Sequence, residues 1–126
     1  MTEASFLVDS SVWISDAFQD LPPAARARLR SSPTLVSSAA LAEVRSVLLR
    51  RGIKTDVAGE LAARENIVAV GADDGLAGGT LHARLRAQGA NVSMVDAIQL
   101  ATARRLGVKF LTRDRAFPND RDVEFV

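Results

Sequence analysis

Ser5-Phe-Leu-Val-Asp-Ser-Ser-Val-Trp13 is the stretch on which the fold turns. Its apolar run, residues 5–8, is too short for a helix and reads as a strand, closed by the turn-prone Asp9-Ser10-Ser11. A helix is predicted from about Ser11 to Phe18. A strand passing straight into a helix is half of a β–α unit, and repetition of that unit builds a parallel sheet with helices on its faces. Asp9 stands at the switch, at the carboxyl end of the strand, where open sheets of this kind bind ligands.

The rest of the chain repeats the alternation. Pro22-Pro23 opens a short basic helix through Arg30, proline being suited to a first helical turn. Residues 35–36 form a brief second strand, and a helix follows over 38–51, stopped by Gly52. A helix over 55–64 leads to a third strand at 67–70. Residues 73–88 read as helix, although Gly75, Gly78 and Gly79 weaken its first half. Ser93 begins a helix ending at Leu106 with Gly107 as its stop, residues 108–111 form a fourth strand and 123–126 a fifth. The expectation is α/β: a three-layer α/β/α sandwich with a mostly parallel sheet of about five strands, one domain over residues 1–126.

Composition sets outer limits. Of 126 residues, 48% are hydrophobic and 25% charged, ordinary for a folded protein. Sixteen basic and fifteen acidic residues leave a net charge of +1. Fourteen of the bases are Arg, with only Lys54 and Lys109 as Lys; Arg suits bidentate phosphate contacts, but a GC-rich genome gives the same bias. The absence of cysteine excludes disulfides, thiolate catalysis and cysteine-ligated metals. Met1-Thr-Glu-Ala-Ser5 lacks a basic leader and a long apolar core, so no signal peptide is expected. No run is long enough for a membrane span. A cytoplasmic protein is the expectation.

Four acids stand out: Asp9, Glu43, Asp96 and Asp114. Each has an ordinary reading as well as a functional one. Asp9 could cap the first helix, though Ser10 and Ser11 stand closer to its start and could do so instead. Glu43 falls at the edge of the stripe Ala40, Val44 and Val47, where a solvated Glu is unremarkable. Asp96 shares a stripe with Leu100 and Ala103, where a carboxylate is unfavourable unless paired, hydrogen-bonded or metal-bound. Ser93-Met-Val-Asp96 also fits a capping box. Asp114 follows the fourth strand, where a turn-forming Asp is equally ordinary. Together they suggest a pocket for a hard divalent cation, which takes oxygen ligands. Like charges ~4 Å apart repel by about 4 kcal/mol at an effective dielectric near 20, so converging carboxylates want a cation or shared protons.

Taken in order, Phe6-Leu-Val-Asp-Ser-Ser-Val-Trp13, Leu41-Ala-Glu-Val44, Val95-Asp-Ala-Ile98 with Ala101, and Leu111-Thr-Arg-Asp114 ending in Phe117 resemble the PIN-domain ribonucleases, and among them the VapC-type toxins. The resemblance spans essentially the whole chain. It implies an acidic quartet at Asp9, Glu43, Asp96 and Asp114, with Thr112 as the hydroxyl beside the last acid. It implies Mg²⁺ or Mn²⁺ as cofactor and RNA hydrolysis leaving a 5′-phosphate and a 3′-hydroxyl. Asp9 and Asp96 are expected to hold the main metal, with Glu43 and Asp114 positioning water or a weaker second ion. The basic pair Arg113 and Arg115 flanks Asp114, where the family is more varied, and these are the favoured RNA contacts. Arg26, Arg28, Arg30 and the Arg50-Arg51-Lys54 cluster read as solvated helix faces. Residues 73–79 match no catalytic motif.

The implied partners are RNA, a VapB-type antitoxin covering the acids and a second copy of the chain, making the protein the toxin of a type II toxin–antitoxin system. A housekeeping PIN nuclease in RNA processing, or a non-catalytic PIN-like domain that binds RNA or protein, are the alternatives. Other folds fit worse. A receiver domain wants paired acids after the first strand and a lysine after the last; a haloacid dehalogenase-type phosphatase wants Asp-x-Asp-x-Thr; a dinucleotide site wants a glycine-rich first turn. None is present. Trp13 reads as core, and His82, the single histidine, as a surface residue.

Overall fold

A computed structural model describes residues 5–126, so residues 1–4 of the N-terminal stretch Met1–Ser5 lie outside the described residues. The chain runs β1 (Phe6–Val8), α1 (Ser10–Ala17), α2 (Pro23–Leu29), β2 (Thr34–Ser37), α3 (Ser38–Arg50), α4 (Val57–Arg64), β3 (Asn66–Val68), α5 (Ala72–Ala87), α6 (Met94–Leu106), β4 (Lys109–Thr112) and β5 (Val123–Phe125). The five strands form one sheet in the order β3-β2-β1-β4-β5, and every pairing is parallel. The strand alternation expected from the sequence is present throughout, with ends displaced by a residue or two.

The central strand β1 is buried on both faces, and its side chains alternate between two cores. Phe6 and Val8 enter a cluster with Val12 and Trp13 of α1, Ala40 and Val44 of α3, and Leu61 of α4. Leu7 enters the opposite cluster with Leu81 and Leu85 of α5, Leu100 of α6 and Phe110 of β4. Helices α1–α4 therefore cover one face of the sheet, and α5 and α6 the other.

Local chemistry sets the helix ends that matter for the site. Ser37 caps α3, its hydroxyl accepting the Ala40 N–H at 3.0 Å. Ser93 caps α6 by accepting the Asp96 N–H at 3.1 Å, and Gly107 ends it in the left-handed region at φ 69°. Helix α5 runs unbroken through its three glycines. Gly78 is required there, because a Cβ would lie 2.5 Å from Ile98 Cγ1 and 2.6 Å from its Cα. The close approach of α5 to α6 depends on that missing methyl group.

The direction of the sheet fixes the site. Strand order reverses at β1, with β2 on one side and β4 on the other, and such a switch point opens a crevice at the carboxyl ends of the strands. Asp9 follows β1 and Asp114 follows β4 at that end. The N-cap of α3 and the start of α6 meet there too.

Candidate metal centre

Helix α1 starts at Ser10, one residue earlier than expected, and this places Asp9 at its N-cap. Its carboxylate nevertheless makes no capping bond. Neither Ser10 nor Ser11 takes over that duty; their hydroxyls turn to the acids. Asp9 Oδ2 accepts from Ser11 Oγ and from Thr112 Oγ1, both at 2.8 Å. Asp9 Oδ1 receives only longer contacts, 3.3 Å from Gln99 Nε2 and 3.4 Å from Ser10 Oγ. One oxygen of Asp9 is thus anchored to β4 and α1, and the other is left for a further partner. The residue is 2% exposed.

Glu43 and Asp96 come to meet it. Glu43 is half-buried on α3, next to the buried Ala40 and Val44, and its Oε1 accepts from Ser10 Oγ at 3.0 Å and Gln99 Nε2 at 3.2 Å. Asp96 lies in the first turn of α6, also half-buried. The Ser93 half of the capping box is made, but the reciprocal bond from the Ser93 N–H to the Asp96 carboxylate is absent among the described residues. That carboxylate, eased only by the nearby Ser93 hydroxyl, faces the other two. One oxygen from each of Asp9, Glu43 and Asp96 lies within 4.8 Å of the others.

The electrostatics follow from this crowding. Burial raises the Asp9 carboxyl above its ordinary value, against the pull of the Ser11 and Thr112 hydroxyls. Burial raises Glu43 as well, with the Asp9 charge adding to it. Asp96 is pushed up to about 7, first by burial and then by the charges of Asp9, Glu43 and Asp114. Oxygens around one small ion with ~2.1 Å bonds sit at most about 4.2 Å apart, so carboxylate oxygens within 4.8 Å of one another need draw in only slightly to share a hard cation. The three carboxylates fit a divalent metal by donor type, by spacing and by their unmet demand for positive charge.

Asp114 is placed differently from the other three. It is not one of the converging oxygens; its Oδ1 accepts the Ala116 N–H at 2.9 Å, closing a turn after β4. Its charge still reaches both Asp9 and Asp96. Thr112 is fully buried and links two of the acids' segments, donating to Asp9 while accepting the Asp114 N–H at 2.9 Å. Of the basic pair, Arg115 is exposed and stacked over Phe125 at 4.7 Å. Arg113 is half-buried, its backbone N–H donates to Ser11 Oγ, and its Nη1 is buried without a partner. Arg28, by contrast, is engaged with Glu124 and with the Phe6 ring.

Sequence reasoning missed Gln99, Ser10 and Ser11 as contacts of the acids. Gln99 carried one signal, a polar residue in the middle of an otherwise apolar helix, one turn after Asp96. It also passed over Asp74, which is 3% exposed and receives a bidentate contact from Arg105 at 2.7 and 2.9 Å. That pair ties α5 to α6, and the Arg105 guanidinium holds the Asp74 carboxyl below its ordinary value. A large cleft lined by Arg104, Lys109, Asp120 and Asp122 contains none of the four acids, and Arg104 there is paired with both aspartates.

The PIN-domain family model matches residues 6–121. The chain belongs to the PIN-domain family. Among solved structures, it is similar to VapBC2 from Rickettsia felis bound to a DNA fragment from their promoter (TM-score 0.75, 16% identity, 97% of this chain and 98% of that one). A toxin–antitoxin complex from Klebsiella pneumoniae also matches, with a TM-score of 0.71 and 22% identity over 97% of this chain and 96% of the other. Mycobacterium tuberculosis VapC20, a toxin that cleaves the sarcin-ricin loop, matches at a TM-score of 0.66 and 25% identity, covering 93% of this chain and 92% of that one. No curated protein matches the sequence. Among the described residues of this PIN domain, no helix is long and apolar enough to cross a membrane.

Proposed function

We propose that this PIN domain is a divalent-metal-dependent ribonuclease and the toxin of a type II toxin–antitoxin pair, acting in the cytoplasm. The observation that carries the reading is the convergence of Asp9, Glu43 and Asp96 at the switch point of the sheet, all three with carboxyls raised by burial and by neighbouring carboxylate charge. Bound Mg²⁺ or Mn²⁺ would supply charge to the scissile phosphate and acidify a water. Asp9 and Asp96, from a strand end and a helix start, are the primary ligands, and Glu43 completes the set or orients the attacking water. Thr112 and Ser11 hold Asp9 in one rotamer through its second oxygen. Asp114, fixed by its own turn, contributes negative charge beside the site and is assigned to positioning rather than primary ligation.

RNA needs cationic contacts near this pocket. Arg113, whose backbone is held by Ser11 beside Asp9, is the better candidate for a phosphate oxygen. Arg115 would have to leave the Phe125 ring to make the same contact. The structural relatives that are complexes of toxins with antitoxins support a VapB-type antitoxin as the protein partner; a homodimer is the assembly we assign to the toxin itself. Purified wild type and Asp96→Asn, each incubated with mixed RNA in Mg²⁺, Mn²⁺ or EDTA, test the enzyme. Metal-dependent cleavage by the wild type alone is expected. Failure of the wild type both to bind metal and to cut any RNA would replace this reading with a non-catalytic binding domain. Toxicity on expression, relieved by co-expressing the neighbouring small gene, separates a toxin from a housekeeping nuclease.

A further inference from the structure

Among the described residues, Gln99 is the one wholly buried side-chain amide that touches the acids, and its environment is specific. It lies on α6 one turn after Asp96 and is fully buried. A polar group in that position is tolerated only when its hydrogen-bonding capacity is met. Its Nε2 donates to Asp9 Oδ1 at 3.3 Å and to Glu43 Oε1 at 3.2 Å, using both amide hydrogens on two different carboxylates. Its Oε1 accepts from Ser37 Oγ at 3.3 Å.

The acids decide which way the amide points, since the reverse orientation would aim a carbonyl oxygen at two carboxylates. Ser37 Oγ accepts the Ala40 N–H as the cap of α3 and has its own hydrogen available for a second partner. Donating that hydrogen to Oε1 satisfies the amide oxygen and anchors the far side of the amide. The cap of one helix thus braces a side chain on another, and that side chain grips acids on a strand end and on the capped helix.

We propose that Gln99, its amide oxygen anchored by Ser37, is a positioning residue that keeps Asp9 and Glu43 converged and thereby sets the affinity of the site for its divalent metal. Two carboxylates left to themselves would swing apart under their repulsion. A Lys or Arg could hold them together, but its full charge would compete with an incoming cation. A neutral amide supplies only partial positive charge, and its contacts of 3.2 and 3.3 Å are long enough to yield when an ion draws the oxygens inward. Hydrogen-bond partners of metal-ligating groups commonly change affinity or activity by 10- to 100-fold when removed. The inference rests on the reading of Asp9, Glu43 and Asp96 as a metal centre.

The test uses the full chain with Gln99→Met, which conserves volume and removes both donors while Asp9 and Glu43 keep their serine partners. Mn²⁺ binding is measured by calorimetry and by the electron paramagnetic resonance signal of free Mn²⁺, and RNA cleavage is followed across a Mn²⁺ titration. The expected result is a Kd for Mn²⁺ raised about ten-fold or more, with cleavage restored at correspondingly higher Mn²⁺. Ser37→Ala should shift Kd the same way by a smaller factor, and Ser37→Thr should restore it. These carry the test if Gln99→Met fails to fold. Variants that bind Mn²⁺ as tightly as wild type, or that lose cleavage irrecoverably with Kd unchanged, would overturn the proposal. Wild type that binds no Mn²⁺ would instead bring down the metal-centre reading itself.

Discussion

Replacing Asp96 with Asn separates a metal ligand from a structural cap, because the two roles predict opposite signs. The backbone N–H of Asp96, not its carboxylate, takes part in the cap of α6, and Asn leaves that bond to Ser93 intact. What the substitution removes is a carboxyl pushed from an ordinary 3.8 up to about 7. That displacement corresponds to roughly 4 kcal/mol between protonation states. Asp96 is only half-buried, so solvent screening reduces the effect to about 2 kcal/mol. Above about pH 8, where wild-type Asp96 is ionised, metal-free Asp96→Asn should be the more stable protein by this amount. For a domain of this size it is a rise of roughly 6–8 °C in Tm. Below about pH 3.8, where Asp96 carries its proton in the folded and the unfolded chain alike, the difference should vanish. Added Mg²⁺ or Mn²⁺ should invert the order at high pH by stabilising wild type alone. Thermal melts by circular dichroism, at two pH values with metal or EDTA, give all four comparisons. A Tm lowered by many degrees at both pH values would refute the reasoning and make Asp96 a structural residue.

Further outcomes follow from the same geometry. The stability that the Asp96 carboxyl contributes to the metal-free wild type should be greatest below the ordinary carboxylate range and be lost as pH rises through about 7, since a carboxyl raised on folding binds its proton more tightly in the folded state; the wild-type minus Asp96→Asn difference in urea denaturation with EDTA across pH checks this. Asp9→Asn and Glu43→Gln should each abolish metal-dependent stabilisation and reduce cleavage by at least ~100-fold, read from Tm with and without Mn²⁺ and from initial rates. Arg105→Ala removes both donors to the Asp74 carboxylate and the tie between α5 and α6; because Arg105 is itself about half exposed, the loss should be at most about 1 kcal/mol in urea titrations, with Mn²⁺ affinity unchanged. Gly78→Ala should lower stability by about 1–3 kcal/mol because its Cβ meets the Ile98 backbone. Gly75→Ala and Gly79→Ala, with open space at both positions, should raise it by up to about 1 kcal/mol each in the same assay.

The sequence by itself determined the layers and the neighbourhood of the site. Phe6-Leu-Val8 and Phe110-Leu111 carry strand periodicity, Gly107 and Ser93 mark helix ends, and such signals are local, so they survive in one dimension. The placement of Asp9 just after a strand was legible for the same reason, as was Glu43 at the edge of an apolar stripe.

Tertiary structure alone decided which acids meet. The parallel pairing of β1 with β4, Val8 opposite Leu111, brings Thr112 onto Asp9, and no spacing in the chain records that register. Asp114 looks like Asp9 in sequence, each following a strand. Its carboxylate closes a turn on Ala116, whereas the Asp9 carboxylate is held by hydroxyls from α1 and β4 and makes no capping bond. Gln99 was invisible because its meaning lies in three partners from three segments, 90, 56 and 62 residues away. Helix and strand are written in neighbours along the chain, while the polarity of a buried amide and the convergence of like charges depend on which segments the fold brings together.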